Sequence, residues 1–215
     1  MLVLWSVKGG SGTTVVASML AAALAQRGSR RVRLVDLAGD IPATLGLAEP
    51  DNGGVHEWLA RADADLETLC NLEIDAVTGL GVVPRGPHSL VDAPGERIAA
   101  LVSTLESPHV DTIIDAGSGA GAVHAALQHA PRSLLVTRPC YLALRTATRQ
   151  RARIDGVILV SEPGRALGAR DVESVLGAPV IAEVPVSPQI ARVVDAGLLA
   201  SRVPVDSRAL VDLVA

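Results

Sequence analysis

The sequence predicts an α/β fold, a doubly wound and mostly parallel sheet with helices on both faces. Three observations carry that prediction. Short apolar runs rich in Val, Ile and Leu alternate with Ala- and Leu-rich helical stretches from end to end, the pattern of strands buried on both sides and joined by helical crossovers. A glycine-rich turn, "KGGSGTT", stands between the first apolar run and the first helical stretch. Two later runs, "RVRLVD" and "VDTIID", each close on an aspartate. In open sheets of this kind ligands gather beyond the carboxyl ends of the strands, so the turn and both aspartates converge on one crevice.

Taken in order, "LVLWSV" (2–7) reads as the first strand and leads into a helix over 13–26, closed by Gly28. "RVRLVD" (31–36) is the second strand. "IPATLGL" and "VHEWLARADADLETL" read as short helices, and "LEIDAV" and "GLGVVP" as a strand pair joined near Thr78 and Gly79. "GERIAALVSTLE" is helical and "VDTIID" (110–115) a buried strand. A glycine-rich turn, the helix "AVHAALQHA", the strand "SLLVTR" and the helix "LALRTATRQ" follow. "GVILVS", the helix "ARDVESVLG", the strand "PVIAEVP" and two terminal helices finish the chain.

At 215 residues, the length suits one sizeable domain over 1–215. Apolar residues make up 49% of the chain, with no Phe and few Trp, Tyr or Met, so the core is aliphatic. A net charge of −4 argues against a surface wholly devoted to nucleic acid or anionic lipid. Cys70 and Cys140 give neither metal spacing nor a disulfide framework. The histidines (56, 88, 109, 124, 129) lack metal spacing too. The first apolar run has no basic segment before it and ends at Lys8, and no stretch approaches the ~18 apolar residues that cross a bilayer. The chain reads as cytoplasmic.

A glycine-rich turn between strand and helix lets backbone N–H groups face phosphate oxygens, with the helix dipole behind them. Gly9, Gly10 and Gly12 permit that approach, and Thr14 sets a hydroxyl at the helix start. Against the standard P-loop pattern, Val7 stands at the first glycine position and Thr13 at the lysine position. Lys8 is the only lysine in a chain that uses arginine everywhere else, which points to a need for a compact ammonium rather than a planar fork.

The string "VKGGSGTT" resembles the deviant Walker A motif of the ParA/MinD family of P-loop ATPases, with Lys8 at the signature lysine that precedes the two glycines. "RVRLVDLAGDIPATLGL" is similar to the family's second block and "VDTIIDAG" to its Walker B strand; the stretch from "GVILVS" to "VVDAG" follows its closing segments. The resemblance implies ATP and Mg2+ as cofactors. Lys8, Gly9, Gly10, Ser11, Gly12, Thr13 and Thr14 would then cradle phosphate, and Ser161 and Pro185 would flank the base. It places Thr14 and Asp115 on the magnesium and Asp36 beside the attacking water or metal shell, with Lys8 and Asp36 the catalytic pair. An aspartate at a strand end is commonly only a turn or cap residue; Asp40 is read as the cap of the next short helix. Loss of the second lysine looks most like the CpaE/TadZ branch, associated with assembling and placing pili. Ala38 replaces a second aspartate and Ser161 an asparagine of the family pattern.

The loop's main-chain donors do not depend on residue 13, whereas a lost charged hydrogen bond weakens binding by about 1.5–3 kcal/mol, roughly ten- to hundredfold. Hydrolysis suffers more, because phosphoryl transfer relies on stabilising spreading charge. The expectation is therefore an ATP-binding positioning protein that forms a homodimer on nucleotide binding, with Lys8 lent in trans, turnover slow or lost, and a protein partner of a positioning or pilus-assembly system. An active DNA-partition ATPase and a pseudo-ATPase docking scaffold are the alternatives. Arginines 145, 149, 151 and 153 fit either DNA contacts or a solvated helix face, the latter favoured. The tail "PVDSRALVDLVA" carries two aspartates against one arginine, unlike a basic membrane anchor.

Overall fold

The structure, a computed structural model, describes residues 1–51, 53–87, 93–119 and 122–212; His88 lies outside them. Eight strands form one sheet: β1 (Leu2–Ser6), β2 (Arg31–Asp36), β3 (Ile74–Val77), β4 (Leu80–Val83), β5 (Val110–Ser118), β6 (Ser133–Thr137), β7 (Gly156–Ser161) and β8 (Val180–Pro185). Their spatial order is β3-β4-β2-β5-β1-β6-β7-β8. Every pairing is parallel except the β3–β4 hairpin, which turns at the predicted Thr78–Gly79 position. The expected doubly wound class is the observed one.

Ten α-helices are described: α1 (Thr13–Arg27), α2 (Ile41–Leu45), α3 (Val55–Ala60), α4 (Leu66–Cys70), α5 (Gly95–Leu105), α6 (Ala122–His129), α7 (Tyr141–Gln150), α8 (Ala169–Leu176), α9 (Pro188–Asp195) and α10 (Arg208–Val211). Alternation along β1 assigns the layers. Leu2 and Leu4 face α1, α2, α9 and α10, whereas Val3 and Trp5 face α3 to α6, as period-2 side chains in a strand require. A smaller cluster seals α7 and α8 onto β7 through Leu144, Val157, Leu159 and Val172. Trp5, wholly buried, donates its indole N–H to Ser133 Oγ at 3.0 Å, tying β1 to β6.

Two boundaries differ from expectation. β1 stops at Ser6, so Val7 opens the loop, and β5 runs three residues past Asp115 because a shift in register lets Ser118 pair with Ser6. At the amino end of the sheet, Arg31 and Arg33 both bind Glu73, at 2.6 and 2.5 Å, locking the hairpin onto β2. Among the described residues, no helix is long and apolar enough to cross a membrane.

Candidate functional site

The loop after β1 is shaped by its own side chains. Ser11 donates its hydroxyl to Lys8 O at 2.8 Å, and the Ser6 hydroxyl bridges toward Lys8 O (3.2 Å) and Gly117 O (3.3 Å). Gly10 and Gly12 sit at φ 77° and 93°, in the left-handed region that glycine enters without strain. Helix α1 then starts with Val16 N donating to Gly12 O at 2.9 Å. Gly9, Gly10 and Lys8 are exposed, while Thr13, in the position where a lysine was expected, is 6% exposed.

Gly9 to Thr14 line one side of a cleft of about 520 Å3, whose remaining walls come from Ser6, the 37–40 turn, the 116–119 segment and the faces of α3 and α5. His56 and Leu59 of α3 belong to it. Lys8, which is exposed, does not line it. Ser161 and Pro185 are register partners at the end of β7 and β8. They do not line the cleft either, but their neighbour Val160 abuts Gly12, where a Cβ would meet it at 3.6 Å. The structure thus gathers Gly9, Gly10, Ser11, Gly12, Thr13 and Thr14 and keeps Ser161 and Pro185 together beside them.

The two predicted carboxylates lie beneath the cleft, both fully buried and paired in register across β2 and β5. Asp36 accepts three backbone N–H bonds, from Ala38 (2.9 Å), Gly39 (2.6 Å) and Ile41 (3.1 Å). Burial pushes its pKa up, and these N–H groups and the Arg85 charge pull it back. Asp115 is less well served. Its Oδ1 accepts from Gly117 N at 2.9 Å, and its Oδ2 is buried with no hydrogen-bond partner among the described residues. Burial raises its pKa to about 6; the nearby Thr14 hydroxyl and the Gly117 N–H oppose the rise, and the charges of Asp36 and Asp40 add to it.

One expectation is corrected. Asp40 occupies the N-cap position of α2, yet its side chain makes no cap hydrogen bond. Asp36 does that work instead by taking the Ile41 N–H, because its carboxylate sits inside the turn and also accepts from Ala38 and Gly39. Asp40 lines the cleft, where among the described residues it is the acidic side chain at the surface. Sequence reading also missed His56, Leu59 and Arg85. They lie 42 or more positions beyond the loop, with no spacing that links them to it. Arg145, Arg149, Arg151 and Arg153, on and after α7, are all exposed. Arg153 is tied down by Asp155 at 2.8 Å and by the carbonyls of Ala130 and Pro131, as a fold anchor.

A bare buried carboxylate oxygen next to Thr14 suits a hard, hydrated divalent cation that prefers oxygen donors. Among the described residues no group of three His, Cys, Asp or Glu forms a metal cage, so such an ion would rest on one or two protein oxygens and keep its waters.

The fold recurs in solved structures. A ParA family ATPase from Chlorobium tepidum shares 21% identity over 98% of this chain and 96% of its own, with a TM-score of 0.78. MinD of Pyrococcus horikoshii, complexed with Mg-ADP, shares 21% over 99% and 93% at 0.76. MinD of Pyrococcus furiosus shares 24% over 99% and 95% at 0.75. No curated protein sequence matches. The family model described as the CobQ/CobB/MinD/ParA nucleotide binding domain matches residues 2–200, and the chain belongs to that family.

Proposed function

We propose that the chain, acting as one domain over 1–215, binds ATP with Mg2+ in the cleft, dimerises on doing so, and positions a partner structure with slow or lost hydrolysis. One observation carries this reading: Gly9 to Thr14 wrap a cleft whose wall leads to an acid, Asp115, with a buried oxygen that has no partner among the described residues. A neighbour of the same fold holds Mg-ADP, which supports nucleotide as the occupant.

The chain's own groups divide the work. Backbone N–H groups of the loop and the start of α1 bind anionic oxygens through aligned dipoles. Thr14 and Asp115 would hold the magnesium, which supplies positive charge to the phosphates when bound. Ser161 and Pro185 would border the base beyond Val160. Asp36 has both oxygens engaged by N–H groups, so it fixes the turn and is ill placed to take a proton. The cleft lacks a lysine in cis. Lys8, exposed and outside the cleft lining, would reach a second copy, which would couple tight binding to dimerisation. The missing second lysine and Ala38 favour the CpaE/TadZ-like branch and weak turnover over an active partition ATPase. The MinC:MinD complex among the structural neighbours makes a protein partner the natural readout.

Titrating ATP with and without millimolar Mg2+, while following mass in solution, tests the reading. The expected result is Mg2+-dependent binding that doubles the mass. A chain that binds no ATP under either condition would leave only a docking scaffold.

A further inference from the structure

One side chain reaches the frame of the cleft from a strand that carries none of the loop residues. Arg85 follows β4, and its Nη1 donates to Ala38 O at 2.8 Å across 47 positions of sequence. Its guanidinium lies so close to Gly39 that a Cβ there would fall inside it. Gly39 is at φ 107°, a conformation that L side chains rarely adopt. The turn therefore carries no side chain at its bend, and the arginine fills that space.

The main chain around Arg85 ties down a second wall. Pro84 O accepts from Val55 N at 2.8 Å and Arg85 O from His56 N at 3.1 Å, setting the start of α3, whose His56 and Leu59 line the cleft. On the other side Ala38 packs against Gly117, two residues from Asp115. Arg85 Nε is buried without a partner among the described residues. A buried donor left unpaired is unfavourable, and such local violations concentrate where geometry serves a site.

We propose that Arg85 is a positioning residue for the candidate site, latching the 36–41 turn so that Asp40 and Ala38 are held on the cleft wall. The role in binding rests on the nucleotide reading above; the latch itself does not. Asp40 sits beside a bend with no side chain of its own, and the guanidinium, through Ala38 O and Gly39, fixes where that bend lies.

Hydrogen exchange on the nucleotide-free chain reads the latch at the amides of Ala38, Gly39 and Ile41, which bond to Asp36. Arg85→Ala should speed exchange there roughly tenfold, the loss expected of one charged hydrogen bond, with the amides of α1 and β5 unchanged. Arg85→Lys, which keeps a donor for Ala38 O, should restore part of the protection. Arg85→Ala should also weaken ATP binding in Mg2+ about tenfold and Mg2+-free binding far less. Unchanged exchange in Arg85→Ala overturns the latch even if ATP binding is normal. Equal losses with and without Mg2+ overturn the positioning role in favour of a general structural one. Loosened exchange in a chain whose wild type binds no ATP removes the nucleotide reading and the positioning role with it. If Arg85→Ala fails to fold, Arg85→Met, which keeps most of the side-chain volume but offers Ala38 O no donor, gives the same readouts.

Discussion

Asp36 and Asp115 stand side by side in register on β2 and β5, both fully buried, yet one has three N–H donors and the other leaves an oxygen without a partner among the described residues. Neighbouring acids with such unequal surroundings separate a structural carboxylate from one held ready for a cation.

The first prediction concerns stability against pH. The Asp115 carboxyl rises from 3.8 to about 6, so the folded chain holds this proton more tightly than the unfolded one. Stability should then fall as pH climbs from about 4 through 6 and level off above. At neutral pH the charged form costs about 2–3 kcal/mol, taking ~1.4 kcal/mol for each pKa unit. Asp115→Asn should recover much of that in urea unfolding of the ligand-free chain, and should abolish the effect of Mg2+ on ATP binding. A variant less stable than wild type at pH 7 and equally responsive to Mg2+ would contradict this.

Asp40→Asn should leave folding unchanged, because the side chain makes no cap bond. It should lower Mg2+-dependent ATP affinity several-fold through the lost charge on the cleft wall, by about 1 kcal/mol. Calorimetric titration measures it, and a fall in melting temperature in Asp40→Ala, which unlike Asn cannot cap a helix, would instead restore Asp40 as a cap.

Lys8→Ala should bind ATP as a monomer. The residue is exposed and lines no part of the cleft, so its loss should be felt at the partner copy. Sedimentation with saturating ATP reads this directly; a variant that dimerises as well as wild type does removes the trans role.

Thr13→Lys restores an ammonium in cis. Affinity for ATP should rise roughly tenfold, reversing part of the ~1.5–3 kcal/mol assigned to that bond, and dimerisation should depend less on Lys8. Thr13 is nearly buried, so thermal unfolding should accompany the titration to separate crowding from binding.

Glu73→Gln should destabilise the chain by about 3 kcal/mol, since it leaves the buried Arg33 guanidinium without its charged partner. The loss should be the same with and without nucleotide, because the pair lies at the amino end of the sheet. A loss that vanishes with ATP would tie this edge to the site.

Much of the fold was legible because strand and helix periodicity is local. Runs such as "RVRLVD" and "GVILVS" state their burial on both faces, and Gly28 closes α1 with N–H bonds to Leu24 O and Ala25 O as a left-handed cap should. The sequence on its own determined the doubly wound sheet, the glycine loop after β1 and an aspartate in the carboxyl half of each of two buried strands, all of which follow from residue order and period; that those strands are neighbours came from the fold. Only the tertiary structure decided that Asp36 caps the turn while Asp40 lines the cleft, that Lys8 lies outside the cleft lining, and that Arg85 closes on Gly39. Those outcomes depend on which backbone N–H groups and which distant side chains are brought within a few ångströms, and chain folding sets such distances between residues whose separation in sequence carries no trace of them.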